Sequence, residues 1–439
     1  MERPANGKGA IVRMLAVLGA TTAVSVATAG GAAAYTQQEL YSFTGGTDGS
    51  GPQAALIGDA AGNLYGTAYT GGLNSAGTVF ELVRPHDGRP WRLTPLYNFC
   101  AQAGCIDGQQ PQIPLILDTA GRLYGTTSAG GSYTHGVAFM LTPDAKRKHW
   151  SIKVIYNFCS RDSLCSDGNR PSSGLTYQGA ESGAPYDGVS PLYGVTLLGG
   201  RRGLGVAYAL TLNSRGAWRE KNIYMFCRVA NCADGSKPSG DPTMDAAGHL
   251  YGAASAGGNA AVNGAGTIFK LSPPASGHVW SETVLYTFCQ AANCADGSTP
   301  NGALTFDGAG NIFGTTSRGG TQGGGTVFQL APGGGETVLY RFCTQTDCTD
   351  GSNPLAGVTM DASGNLFGTT IFGGANSKGV AFEVSGSSFG KLHDFCSQAN
   401  CTDGSTPFAG LLIDPAGDLF GTTTGGGDHG IGTVYELTP

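Results

Sequence analysis

The chain is predicted to be all-β: a seven-bladed β-propeller of four-stranded antiparallel blades, with an N-terminal strand closing the last blade. Three observations predict this. A phrase of the form D-G-x-x-P occurs seven times, each time followed by the same order of short apolar runs. No segment after residue 34 sustains a 3.6-residue apolar period, so helices should be nearly absent. The part of the repeat missing at the C-terminus is found at the N-terminus.

The seven copies are marked by Asp48, Asp107, Asp167, Asp234, Asp296, Asp350 and Asp403, at spacings of 53 to 67 residues. That period lies near propeller-blade lengths. Copy five shows the parts cleanly. GALTFD (Gly302 to Asp307) is a first apolar run, and Gly308 to Asn311 is turn chemistry. IFGTT (Ile312 to Thr316) follows, then a Gly-rich loop, then TVFQL (Thr326 to Leu330). A Pro-Gly loop leads to TVLYRF (Thr337 to Phe342). These are four strand-length runs rich in β-branched and aromatic residues, bounded by Gly, Pro, Asn and Asp. A parallel β-helix is the rival, but its coils are shorter and hairpins fit it poorly.

The last copy stops at its third run, Gly432 to Pro439 (GTVYELTP). The run Glu39 to Phe43 (ELYSF) resembles the missing fourth strand and precedes the first copy. Joining the two closes the ring and removes exposed sheet edges.

Residues 1–34 read as a secretory signal, and residues 35–439 as one propeller domain. Arg3, Lys8 and Arg13 precede a weakly apolar run that ends in small residues, with A-x-A patterns at Ala32 to Ala34 and Ala27 to Ala29. Losing the segment removes a net +2 (Arg3, Lys8, Arg13 and Glu2) and takes the formal charge from −6 to −8. An acidic chain without a basic stripe is a poor partner for nucleic acid. No second apolar run is long enough to span a bilayer. Export to the cell surface, the periplasm or the medium is expected, as a monomer.

The 12 Cys fall as six close pairs: Cys100 with Cys105, Cys159 with Cys165, Cys227 with Cys232, Cys289 with Cys294, Cys343 with Cys348, and Cys396 with Cys401. Copy one reads SFTGGTDGS and lacks both Cys together with three loop residues. Each pair thus behaves as a unit, which points to local disulfides in an exported protein. Zinc is the competing reading, but one loop supplies only half a tetrahedral site.

Candidate site residues come from the repeat and from its failures. The seven Asp of D-G-x-x-P could ring one channel mouth and bind a cation or polyhydroxyl ligand. The competing reading is that each caps local backbone N–H groups. Copy three departs most visibly, with an expanded turn at Gln178 to Pro191 and a basic loop carrying Arg201 and Arg202. Insertions on a repeat frame carry function in some proteins and are simply tolerated in others. The Gly of each second run, such as Gly314, is expected to admit an aromatic ring. No His spacing, G-x-S-x-G elbow or phosphate loop marks catalysis. No cofactor and no metal are expected.

The phrase P-x-x-G-[LV]-T-x-D-x-x-G-N-L-[YF]-G-T-T, then G-G, then G-T-V-F-E-L, resembles the GloVer (Gloeo/Verruco) tandem repeat of bacterial exported proteins. Its middle, D-x-x-G-N-L-Y, is similar to NHL-type propeller repeats. The resemblance implies export and a propeller-like fold, and no established activity. Related Ca²⁺-dependent lactonases place acidic and amide groups in the channel, whereas the matching strand here ends in Gly-Thr-Thr. The reading that follows is a non-catalytic binding module for an extracellular glycan or protein. The alternatives are an extracellular glycan hydrolase or lyase and a purely structural envelope protein.

Overall fold

The computed structural model describes residues 35–85, 89–258, 264–276 and 279–439. The expected signal segment lies outside the described residues. Seven antiparallel sheets form seven blades, numbered here by the D-G-x-x-P copy that begins each. Blade 5 is representative. Its innermost strand is Ser298–Pro300 with Thr305–Phe306, followed by Ile312–Arg318, Thr326–Leu330 and the outermost strand Glu336–Arg341. The only helical elements among the described residues are short 3₁₀ turns.

The ring closes as the sequence predicts. Thr36–Ser42 pairs antiparallel with Thr433–Thr438 and becomes the outer strand of blade 7. The seam this creates is chemically the same as the others. At every seam the Phe ending one blade's outer strand meets the third-strand aromatic of the next blade. Phe43–Phe80 at the closure, Phe288–Phe328 and Phe395–Tyr435 are examples, and centroid distances over the seven seams span 4.9–5.4 Å. Such edge-on pairs contribute about 0.5–1.5 kcal/mol beyond their buried area.

The second-strand glycine serves this aromatic. A Cβ on Gly314 would lie 2.7 Å from Cζ of Phe328, its cross-strand partner, and 3.0 Å from Leu304. The ring therefore comes from the adjacent strand of the same blade, filling the space where a side chain would stand.

All six cysteine pairs are disulfides within single loops, with Cα–Cα distances of 3.9–4.1 Å. All twelve half-cystines take positive φ, between 52° and 64°. Left-handed backbone costs an L residue roughly 1–2 kcal/mol. Closing so short a loop constrains the unfolded chain by about 2 kcal/mol in the chain-entropy account, which offsets part of that cost. Six disulfides suggest an oxidising, extracellular environment. No helix among the described residues is long and apolar enough to cross a membrane.

The cysteine loops and the Gly-Gly loops share one rim, as expected from the strand order. Gly320 N–H donates to the Cys294 carbonyl (2.9 Å), and Gly131, Gly200, Gly258, Gly374 and Gly427 make the same bond to their own cysteine loops. The D-x-x-G turns form the opposite rim.

Candidate ligand-binding site

The repeated Asp of D-G-x-x-P are 0–4% exposed. Each ties its loop to the preceding outer strand. Asp296 accepts the Tyr286 hydroxyl (2.9 Å) and the N–H groups of Gln290 (2.9 Å) and Ala291 (3.2 Å). Asp107, Asp167, Asp234 and Asp350 do the same with Tyr97, Tyr156, Tyr224 and Tyr340. In blade 7, His393 Nε2 stands 3.1 Å from Asp403 in place of the Tyr hydroxyl. In the cysteine-free loop of blade 1, Asp48 still takes Tyr41 and both the N–H and hydroxyl of Thr44. None of the seven lines the axial channel.

Behind three of these aspartates sits a second carboxylate. Glu220, Glu282 and Glu336 occupy the same outer-strand position in blades 3, 4 and 5. Burial first, and then Asp234 or Asp296, pushes Glu282 and Glu336 up to about 7. Glu220 is raised to about 7 by burial and by Asp167, against the pull of Arg161, which pairs with it at 2.5 Å.

The expanded turn of copy three lies on the rim opposite the disulfides; most of it is exposed, and it is anchored at Tyr186. Tyr186 is fully buried between Tyr124 and Tyr177. Its carbonyl accepts Thr119 N–H of blade 2 (3.0 Å), and Gln178 Nε2 donates to the Ala246 carbonyl of blade 4 (3.2 Å). The insertion is thus a clamp across three blades. Arg201 and Arg202 lie on the disulfide rim, so the two irregular features of copy three are not brought together.

The innermost strands surround an axial cavity of about 410 Å³. Its wall is set by two offsets from the proline of D-G-x-x-P. One residue after the proline stand Gln53, Gln112, Ser172, Ser239 and Asn301 in blades 1 to 5, then Leu355 and Phe408. Ser239 Oγ donates to Asn301 Oδ1 (3.0 Å), whose amide reaches Ser317 Oγ (2.9 Å). Phe408 is 36% exposed, opposite this polar arc. Three residues after the proline, six blades carry small residues or proline: Ala55, Pro114, Gly174, Ala303, Gly357 and Gly410. Blade 4 carries Asp241.

Asp241 is the sole acidic residue among the described residues lining this cavity. Its Oδ1 accepts the N–H of Gly174, which has no side chain in the way. No other protein group is hydrogen-bonded to it among the described residues. Burial raises its carboxyl above the usual carboxylate range. Ser172, on the neighbouring blade, has a buried hydroxyl without a partner in the same cavity. Both residues line the cavity. Sequence reasoning misses Asp241; its signal is the phrase PSGDP where other copies write P-x-x-G, P-x-x-A or, once, P-x-x-P.

The described residues hold one group resembling a metal cage. His135 and the sulfurs of Cys159 and Cys165 lie within 4.8 Å of one another. The two sulfurs are bonded to each other and offer no thiolate, so the imidazole is the one good metal ligand of the group.

A closed seven-bladed propeller with an axial cavity of mixed polar and apolar wall is the class that fold and site define. The chain belongs to the Gloeobacter/Verrucomicrobia repeat family, whose model matches residues 5–191 and 280–439. No curated protein matches it. Among solved structures it is similar to a Thermus thermophilus protein whose description proposes an oxidoreductase (glucose dehydrogenase). The two are 13% identical, the match covers 92% of this chain and 100% of that one, and the TM-score is 0.44. A Dyadobacter fermentans protein of unknown function is 11% identical over 91% and 96% of the two chains, also with a TM-score of 0.44. Likeness at this level carries no functional argument.

Proposed function

We propose that the protein is an exported, non-catalytic binding module whose axial cavity seats a small saccharide or similar ligand rich in hydroxyl or amino groups. The observation that carries this reading is Asp241, a carboxylate at a position where the other six blades keep the wall small or use proline, beside the unpartnered hydroxyl of Ser172. Amide and hydroxyl groups on one arc and Phe408 on the other suit a ligand with polar edges and one apolar face. A lone carboxylate anchors and orients; glycoside cleavage ordinarily uses a pair. The disulfides and the N-terminal segment support export.

The test is a panel of neutral, amino and acidic saccharides, read by thermal shift and calorimetry on the purified protein. Binding of a neutral or amino sugar that falls at least tenfold in Asp241→Ala and Ser172→Ala, with unchanged melting temperature, supports the reading. Equal binding by Asp241→Ala, or turnover of the sugar, overturns it.

A further inference from the structure

Three arginines meet at the edge of blade 3, and only there. Arg201 and Arg202 follow the Gly-Gly pair of the loop between its second and third strands, and Arg228 follows the first half-cystine after its outer strand. The equivalent positions elsewhere hold neutral or acidic residues or histidine: Thr321, Gln322 and Thr344 in blade 5, and Asp428 and His429 in blade 7. The fold explains the meeting. Phe226 N–H donates to the Gly205 carbonyl (3.0 Å), which docks the end of the outer strand on the basic loop. Arg202 Nη1 then stands 3.7 Å from Cys227 Sγ.

These arginines border a hollow of about 590 Å³. Ile223, Tyr224, Met225 and Phe226 line it beside them, and no acidic residue does among the described residues. The guanidinium of Arg228 lies over the Tyr224 ring, 5.5 Å from its centroid, which holds it in place without neutralising it. None of the three arginines forms an ion pair with a carboxylate among the described residues. Arg201 has no hydrogen bond or ring contact there either. Asp234, the nearest repeated aspartate in sequence, is spent on the Tyr224 hydroxyl and the N–H groups of Arg228 and Val229. All three arginines are exposed, on a chain whose net charge is −6.

We propose that this hollow is an anion site, separate from the axial cavity, which binds the carboxylate, sulfate or phosphate group of a ligand with an apolar or ring-shaped body. Guanidinium forks match the paired oxygens of such groups, and the tyrosine and aliphatic wall takes the body of the ligand.

The experiment titrates the full chain with sulfate, phosphate and galacturonate at low, matched ionic strength, with chloride as the reference, because screening weakens exposed charges. Calorimetry and thermal shift read binding for the wild type, Arg201→Gln/Arg228→Gln, Asp241→Ala, and Arg215→Gln on the opposite rim. The expected result is saturable binding of at least one oxyanion, weakened tenfold or more in the double variant. Arg215→Gln and Asp241→Ala should bind as wild type does, so failure of the axial-cavity reading leaves this result standing. The oxyanion bound most tightly identifies the source of the charge. Absence of binding beyond chloride, or equal binding by the double variant, overturns the proposal; an unchanged melting temperature of that variant shows that folding is not the cause.

Discussion

Blades 5 and 6 keep to the repeated phrase, while blades 3 and 4 break it. In the regular pair, Thr315 and Thr369 hydroxyls each donate across a seam to the innermost strand of the next blade, reaching the Ala356 and Ala409 carbonyls at 2.7 and 3.0 Å. In the irregular pair the same positions hold Val195 and Ala253, and the seam bond is gone. That stretch also holds Asp241, the arginine trio and the clamp at Gln178 to Pro191. Residues that recur serve the frame, because every blade must solve the same packing problem. A residue that stands alone in the ring solves a problem the frame does not have.

Two aspartates of blade 4 put this contrast to its hardest test. Asp234 satisfies three internal donors, and Asp241 faces the channel. Asp234→Ala should leave the Tyr224 hydroxyl and two N–H groups without an acceptor, at roughly 1–3 kcal/mol for each buried donor and so about 3 kcal/mol or more in all. Asp241→Ala removes a carboxylate whose ionised form the fold disfavours and loses one hydrogen bond, for a net change within about 1 kcal/mol. Chemical denaturation of the two variants checks the order. Similar losses would erase the distinction between frame and site.

The paired carboxylates give a smaller, pH-dependent effect. Glu282 and Glu336 are raised to about 7 in the folded chain, against an unfolded value near 4.3. Between those values the folded state holds protons that the unfolded state has released, so stability falls as pH rises through this window. Below it, the lowered carboxylates Asp245 and Asp307 protonate and stability falls again. The melting temperature should therefore peak near pH 5 and drop by a few degrees toward pH 8. Glu282→Gln/Glu336→Gln should flatten the alkaline side of that profile. A profile that is flat in the wild type counts against the pairing.

The frame was legible because repetition multiplies a weak signal. One GALTFD run means little, whereas seven in the same order fix strand count and closure. The tie between each Asp and an outer-strand Tyr was less legible, since the Asp reads equally well as a local cap. In Asp296 it does both, and only the docking of strand end on loop brings Tyr286 within reach. Arg201 and Arg202 stood out as a basic pair, but Arg228 did not, because the register of the third and outer strands sets their proximity. Asp241 was hidden by a one-residue change inside a familiar phrase, where attention falls on the larger insertion of copy three.

The smallest effect concerns the seam aromatics, where irregularity does not signal a site. Blades 3 and 7 carry Tyr208 and Tyr435 where Phe80, Phe139, Phe269, Phe328 and Phe382 stand in the others. Both hydroxyls are buried without a partner, and burial raises both phenols. A buried unsatisfied hydroxyl costs about 1–3 kcal/mol, part of which relaxation recovers, so Tyr208→Phe and Tyr435→Phe should each stabilise the chain by about 1 kcal/mol. The second-strand partners, Gly194 and Gly421, leave the ring itself undisturbed by the change. Melting curves of the two single variants and the double variant check this, with additive gains expected because the sites lie in different blades. A loss of stability in either variant would mean that its hydroxyl has a partner such as a buried water, and would turn that tyrosine from an unhelpful remnant of the repeat into a selected departure like Asp241.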